Sequence, residues 1–209
     1  MSNDIKKKLA YGVGINDADY LVQEYITIGY ENGKQKRKLI WMCPFHNRWK
    51  KMLERCYSEK RLQKYPSYKG CSVCEEWLTF SNFKAWMEKQ DWENKHLDKD
   101  ILFPGNKVYS PDTCVFVDAK VNIFLIEHNA ARGDYMIGVC LNKGKRKFQA
   151  ECRDGSGKKK YLGLFNTEIE AHKAWLSFKL KVAHQLASEQ TDPRIAKALI
   201  ERYQNYEVK

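Results

Sequence analysis

Apolar residues recur along this chain with two different periods, near 3.6 and near 2, and their alternation predicts a mixed α+β protein. The β-branched and aromatic run of residues 19–30 (DYLVQEYITIGY) reads as a strand, and the basic residues Lys34, Lys36, Arg37 and Lys38 fall in the turn after it. From Pro44 the spacing Phe45, Trp49, Met52, Leu53, Cys56 is helical, with proline in the first turn, where no N–H is needed. Residues 58–70, rich in Lys, Tyr and Pro, read as a loop. SNFKAWMEKQ predicts a helix capped by Thr79 or Ser81, with Phe83 and Trp86 turned inward. Two short strand-like runs follow, one around Asp98 and one over residues 114–117, with Pro104-Gly105 turning between them. Asn122 then stands early in a helix reaching about Ala131.

Past Arg132-Gly133-Asp134 the period drops to two. Residues 136–141, 146–152 and 159–165 alternate apolar with polar and are joined by Lys/Gly turns, which predicts three antiparallel strands. Thr167 followed by Glu170 is a capping box. The helix it opens has a buried stripe of Ala171, Ala174, Trp175, Phe178, Leu180, Val182 and Leu186. Thr191-Asp192-Pro193 begins a last helix. No internal repeat or low-complexity tract interrupts this order.

At 209 residues the chain makes one large or two small domains. Its net charge of +11 directs it toward polyanions, nucleic acid first, and its 43% apolar content argues against disorder. No apolar run is long enough to span a membrane, and residues 1–12 lack the apolar centre of a signal peptide. Seven cysteines, an odd number, suit the reduced thiols of a cytoplasm better than a disulfide framework.

Against that background the segment LDKDILFPGNKVYSPDTCVFVDAKVN carries the sharpest chemistry. It places Asp98 and Asp100 on a first strand and Asn122 on the helix after a second. Oxygen ligands, few in number, suit Mg²⁺ (or Mn²⁺), which shares itself with phosphate oxygens, so a phosphodiester is the natural substrate. Asp100 reads equally as a turn-initiating carboxylate and Asn122 as a helix cap. Eight cations crowd the three-stranded region, namely Lys143, Lys145, Arg146, Lys147, Arg153, Lys158, Lys159 and Lys160, against Glu151 and Asp154. With a helix on one face, they must project from the other face or from the turns. A narrow basic β-surface of that kind can enter the DNA major groove; a merely solvated charged face is the alternative.

Two resemblances bear on these segments. Gly138-Val139, Phe148-x-Ala150-Glu151, Tyr161-Leu162-Gly163-x-Phe165, Thr167 and Glu170-Ala171 resemble the apetala-type domain of plant ethylene-response factors, found also in phage and mobile-element endonucleases. The resemblance implies that Lys147, Glu151, Arg153 and the turn lysines face DNA, with Ile137 standing where an arginine is usual. The metal segment, with RWKKMLERCY, YKGCSVCEEW and FSNFKAWM, resembles phage HNH-type homing endonucleases over residues 41–125, whose fold is a ββα-metal hairpin. That resemblance implies Asp98 as first metal ligand and Asn122 as helix ligand. It sets Lys99 where the basic histidine is usual and Thr113 where an orienting asparagine is usual. A lysine of ordinary pKa, about 10.4, stays charged at neutral pH and accepts no proton, so Lys99 suits charge stabilisation instead. His96, two residues before Asp98 and on the same strand face, is the substitute base; an exposed loop histidine is its plainer reading.

Cys43-x-x-His46 and Cys71-x-x-Cys74 have zinc-ligand spacing and would staple the N-terminal segments through a structural Zn²⁺. The competing and preferred reading makes them small core residues, with His46 exposed. The resulting expectation is an N-terminal segment (1–40), an HNH-like nuclease domain (41–131), an apetala-type DNA-binding domain (132–190) and a C-terminal helix (191–209). Together they would make a phage-encoded endonuclease that hydrolyses double-stranded DNA in a bacterial cytoplasm. The alternatives are a catalytically inactive DNA-binding regulator, or a phage inhibitor whose partner is a host nuclease or defence protein.

Overall fold

The computed structural model describes residues 9–126 and 134–206, and the chain is α+β, with six α-helices and several small sheets among them. It divides into two compact units that do not follow the linear order. The first comprises residues 1–93 and 103–114, the second residues 94–102 and 115–209.

The first unit opens with a hairpin of β1 (Gln23–Glu31) and β2 (Lys34–Met42). Asn32 and Gly33 are the whole turn, both at positive φ (51° and 74°), the two-residue turn whose twist matches paired strands. The basic run therefore lies in β2 rather than in a turn. Unbroken charge hides the alternation by which a strand is recognised, whereas Asn-Gly marks the hairpin. α1 (Pro44–Tyr57) follows as the spacing predicts and buries Trp49, Met52, Leu53 and Cys56. The expected loop after it contains α2 (Glu59–Lys64), where the Ser58 hydroxyl accepts from the Arg61 amide. β3 (Ser72–Val73) pairs in parallel with β5 (Val108–Tyr109), and α3 (Phe80–Met87) packs on α1. Phe83 is buried and Trp86 half-buried. The Trp49 indole N–H donates to the Trp77 carbonyl at 2.7 Å, satisfying a donor that burial would otherwise leave unpaired.

In the second unit, β4 (His96–Asp98) pairs antiparallel with β6 (Val115–Val117), and α4 (Ala119–Leu125) comes next. α4 ends at Leu125, earlier than expected, and residues 127–133 lie outside the described residues. β7 (Val139–Asn142), β8 (Lys147–Arg153) and β9 (Lys159–Phe165) form the antiparallel sheet in the order 7-8-9. α5 (Glu168–Ser188) crosses it and α6 (Pro193–Gln204) packs on α5. One core unites these elements: Val115, Val117, Val121 and Phe124 pack in the same cluster as Trp175, Val182, Leu186 and Leu199. Gly138, at φ +81°, lets β7 begin against α5, since a Cβ there would come within 2.0 Å of the Trp175 ring. The α5 stripe buries Ala171, Trp175, Val182 and Leu186, but also His172 and Lys179. Lys179 donates to the Phe124 carbonyl at 2.7 Å and lies 3.8 Å from that ring's centre, so a cation completes the carboxyl end of α4.

Candidate functional site

Asp98 closes β4 opposite Val115. Its Oδ1 accepts the amides of Asp100 (2.7 Å) and Ile101 (2.8 Å), an Asx-type turn that fixes the carboxylate's orientation. The next residue, Lys99, is buried, and its ammonium is ion-paired to the half-exposed Asp100 carboxylate. His96 is exposed, opposite Val117 at the other end of β4 and on the Asp98 side. Asn122 sits half-buried on α4, which packs beside β4. Asp98, Lys99, Asp100, His96 and Asn122 thus all belong to the second unit.

Thr113 belongs to the first unit, where its hydroxyl donates to the Val108 carbonyl at 2.8 Å and lies 3.0 Å from the Ser110 hydroxyl. That bonding tightens the turn after β5, a local structural use.

Among the described residues no three His, Cys, Asp or Glu side chains converge as a metal would require, neither at the cysteine pairs nor around His96, Asp98 and Asp100. His46 is buried rather than exposed, packed edge-on to Phe80 at 5.2 Å between ring centres, with no hydrogen-bond partner for Nδ1. Burial, aided by Lys50, lowers its pKa to about 4. Cys43 is buried in front of α1, its sulfur 4.0 Å from the Tyr20 hydroxyl. Cys71 is buried too, and burial raises the Cys74 thiol, disfavouring the thiolate that binds metal. No disulfide joins any of the seven cysteines.

The sheet presents its charge at two places. Lys143, Lys145 and Arg146 form the exposed β7–β8 turn, and Lys147 opens β8 beside them; Asn142 Oδ1 holds the turn by accepting from the Lys145 amide at 3.1 Å. Six residues further along β8, on the order of 20 Å at strand rise, Arg153, Lys158 and Lys159 form the second cluster. Ala150 and Cys152 are buried toward α5, so the alternate residues Lys147, Gln149, Glu151 and Arg153 face outward. Lys160 differs: it pairs with Cys152 and its ammonium lies 5.2 Å over the Phe178 ring of α5, on the helix side. Glu151 accepts from Lys159 at 3.0 Å and from Gln149 at 2.6 Å, and these bonds lower its pKa.

Gln149, Asn142 and Tyr161 were not among the residues singled out by charge, yet they share this outer face. Asn142 donates to Gln149 at 3.2 Å, and Tyr161 pairs with Glu151 and is exposed. Gln149 alternates with buried Ala150 along β8, whereas Asn142 and Tyr161 reach this face only through their pairing with Lys147 and Glu151.

A cavity of about 610 Å³ opens in the second unit, lined by Phe124, Trp175 and Lys179, by Glu151, and also by Arg153 and Lys159 of the sheet's second cationic cluster. Neither Asp98, Asp100 nor Asn122 lines it. Among the described residues, no helix is long and apolar enough to cross a membrane. Comparison with models of protein families, with curated proteins and with solved structures finds no match.

Proposed function

We propose that this chain is a DNA endonuclease of the phage HNH kind, hydrolysing phosphodiester bonds of double-stranded DNA with Mg²⁺ or Mn²⁺ in a bacterial cytoplasm. The observation that carries this reading is the antiparallel pair of β4 and β6, which have β5 between them in the chain, followed by α4, with Asp98 ending the first strand and Asn122 on the helix. Asp98, Asp100 and Asn122 all offer oxygen, the donor type a hard cation takes, and the turn at Asp98 fixes the orientation of one carboxylate. A cation held there would polarise the scissile phosphate and stabilise the leaving oxygen.

The chain's own groups divide the remaining tasks. Lys99 is held in the protein by burial and by Asp100, and as a fixed cation it offsets charge developing on the phosphate. His96, exposed and on the Asp98 side of β4, takes the proton of the attacking water. DNA is held by the two cationic clusters of the β7–β9 sheet, whose lysines take phosphates. Between the clusters, the Gln149 amide, bonded to Asn142 and Glu151 in the free protein, exchanges those partners for an adenine edge. In the second cluster the Arg153 guanidinium, which also donates to the Gly157 carbonyl, pairs with guanine.

A second reading is favoured by one feature. The Asp98 Oδ1 and the Asp100 carboxylate already have structural partners, as in a protein that keeps the hairpin only as scaffold and binds DNA without cutting it.

Supercoiled plasmid with Mg²⁺ or Mn²⁺ separates the two. Asp98→Asn keeps an oxygen that accepts the same two amides but removes the charge, so the protein stays folded while cleavage falls on the order of a hundredfold. EDTA abolishes the nicked and linear products. Intact plasmid with wild-type protein that still shifts the DNA in a gel establishes the scaffold reading. Equal cutting by Asp98→Asn and wild type would confine Asp98 to the turn.

A further inference from the structure

The hairpin of β1 and β2 has no role in the sites above, and all of its residues except Gln23, Gly29 and Met42 are exposed or nearly so on both faces. At nine residues per strand it is an arm roughly 30 Å long. A lone two-stranded ribbon is marginal in water, and this one exposes Ile26, Ile28, Leu39, Ile40 and Trp41. Such an arm needs a partner to cover it, and its charge selects which.

Four cations, Lys34, Lys36, Arg37 and Lys38, occupy the turn-proximal half of β2, and β2 contains no acid. β1 supplies only Glu24 and Glu31. The ion pair of Glu31 with Lys36 is 3.8 Å long with both side chains largely exposed, so water screens it and leaves the cation available. Arg37 lies 5.5 Å from the centre of the Tyr25 ring, which holds the guanidinium over the Tyr25 face of the ribbon. In the ladder, Arg37 pairs with Thr27 and Lys38 with Ile26, so the two cations point to opposite faces. A ribbon standing in a groove would thus direct charge at both walls.

We infer that this ribbon is a second duplex-DNA-binding element, an arm that enters a major groove by its Asn32-Gly33 tip while Lys34, Lys36, Arg37 and Lys38 neutralise the flanking phosphates. The major groove, about 12 Å wide, admits a two-stranded ribbon. The inference rests on the DNA-binding reading above for its choice of polyanion, but not on the Asp98 chemistry. Because most of its contacts are to phosphate, the arm adds affinity and site length more than base discrimination.

The test measures binding of the full chain to a labelled 30-base-pair duplex, about three turns of DNA, in EDTA, across a salt series. Three proteins are compared: wild type, Lys36→Gln/Arg37→Gln/Lys38→Gln, and Lys143→Gln/Lys145→Gln/Arg146→Gln. For the ribbon variant, loss of three phosphate contacts lowers the slope of log affinity against log salt by about 2–3 and weakens binding at least tenfold at 0.1 M salt. Its circular dichroism and melting temperature stay at wild-type values, because the replaced side chains are exposed. Lys36→Arg/Lys38→Arg keeps the charge and binds like wild type. Unchanged affinity and slope in the glutamine variant overturn the inference. If the sheet variant alone loses binding, the ribbon inference fails and the DNA-binding reading of the sheet stands; if the ribbon variant alone does, the reverse holds. A dimer in sedimentation that Trp41→Ala converts to monomer, with duplex affinity unchanged, identifies a second copy of the chain as the occupant and also overturns the inference.

Discussion

His46 shows how one side chain can tie stability to pH. Its ring packs against both Trp49 and Phe80 at 6% exposure, so protonation would place a charge among aromatic rings, with no hydrogen-bond partner at Nδ1. Its folded pKa, about 4, is below the ordinary value of 6.5, so between those pH values the unfolded chain binds the proton and the folded chain does not. Stability from this group is complete above about pH 6.5 and declines as pH falls toward 4. From pH 7 to pH 5 the loss is about 2 kcal/mol, read as a lower urea midpoint. His46→Phe should flatten that part of the profile; an equally steep profile would show that other groups cause it. Lys179 is the opposite case, a buried cation held by the Phe124 carbonyl and two rings, 55 residues from its acceptor. A lysine within an apolar stripe reads as an interruption of the stripe, and only the partner brought to it by folding explains its place.

Among the elements, α5 is the one whose ends and faces local rules describe best. Thr167 Oγ1 accepts from the Glu170 amide at 3.2 Å and Glu170 returns a carboxylate to the Thr167 amide at 3.1 Å, the reciprocal pair that its sequence predicts. Thr167→Ala should lower stability by about 1 kcal/mol, seen as a reduced denaturation midpoint with the slope unchanged. No change would mean that the packing of α5 on the sheet makes the cap redundant. β9 and α1 likewise lie where periodicity puts them: α1 buries one continuous face, and β9, with no fully buried residue, is held by its ladder to β8. β2 is hidden from local spacing: its cations obscure a period of two, and only the Asn32-Gly33 turn and the ladder to β1 reveal the strand. β4 and β6 pair across sixteen intervening residues, a distance over which no spacing rule reaches.

For the molecule as a whole, the grouping of elements is what matters. Five of the fourteen residues in the second unit's core cluster (Ile101, Val115, Val117, Val121 and Phe124) precede residue 132. Removing them strips on the order of 10 kcal/mol of apolar burial, comparable to the whole stability of a domain. A fragment of residues 132–209 should therefore lack a cooperative thermal transition; a sharp melt with native-like circular dichroism would show that the sheet and its two helices suffice. The same grouping sets Asp98, Asn122 and the basic sheet in one unit while Thr113 belongs to the other.

By itself the sequence determined the α+β class, the amphipathic helices, the three alternating strands, the capping box and the excess of positive charge. Each of these rests on the spacing of neighbouring residues or on a sum, and neither needs to know what packs against what. Only the tertiary structure decided that the basic run lies in a ribbon, that the Asp98 hairpin shares a core with the sheet, that Lys179 completes α4, and which sheet residues face outward. Those depend on free energies of contact between residues far apart in the chain, where a buried face or an orphaned carbonyl selects its partner, and local periodicity has no term for that choice.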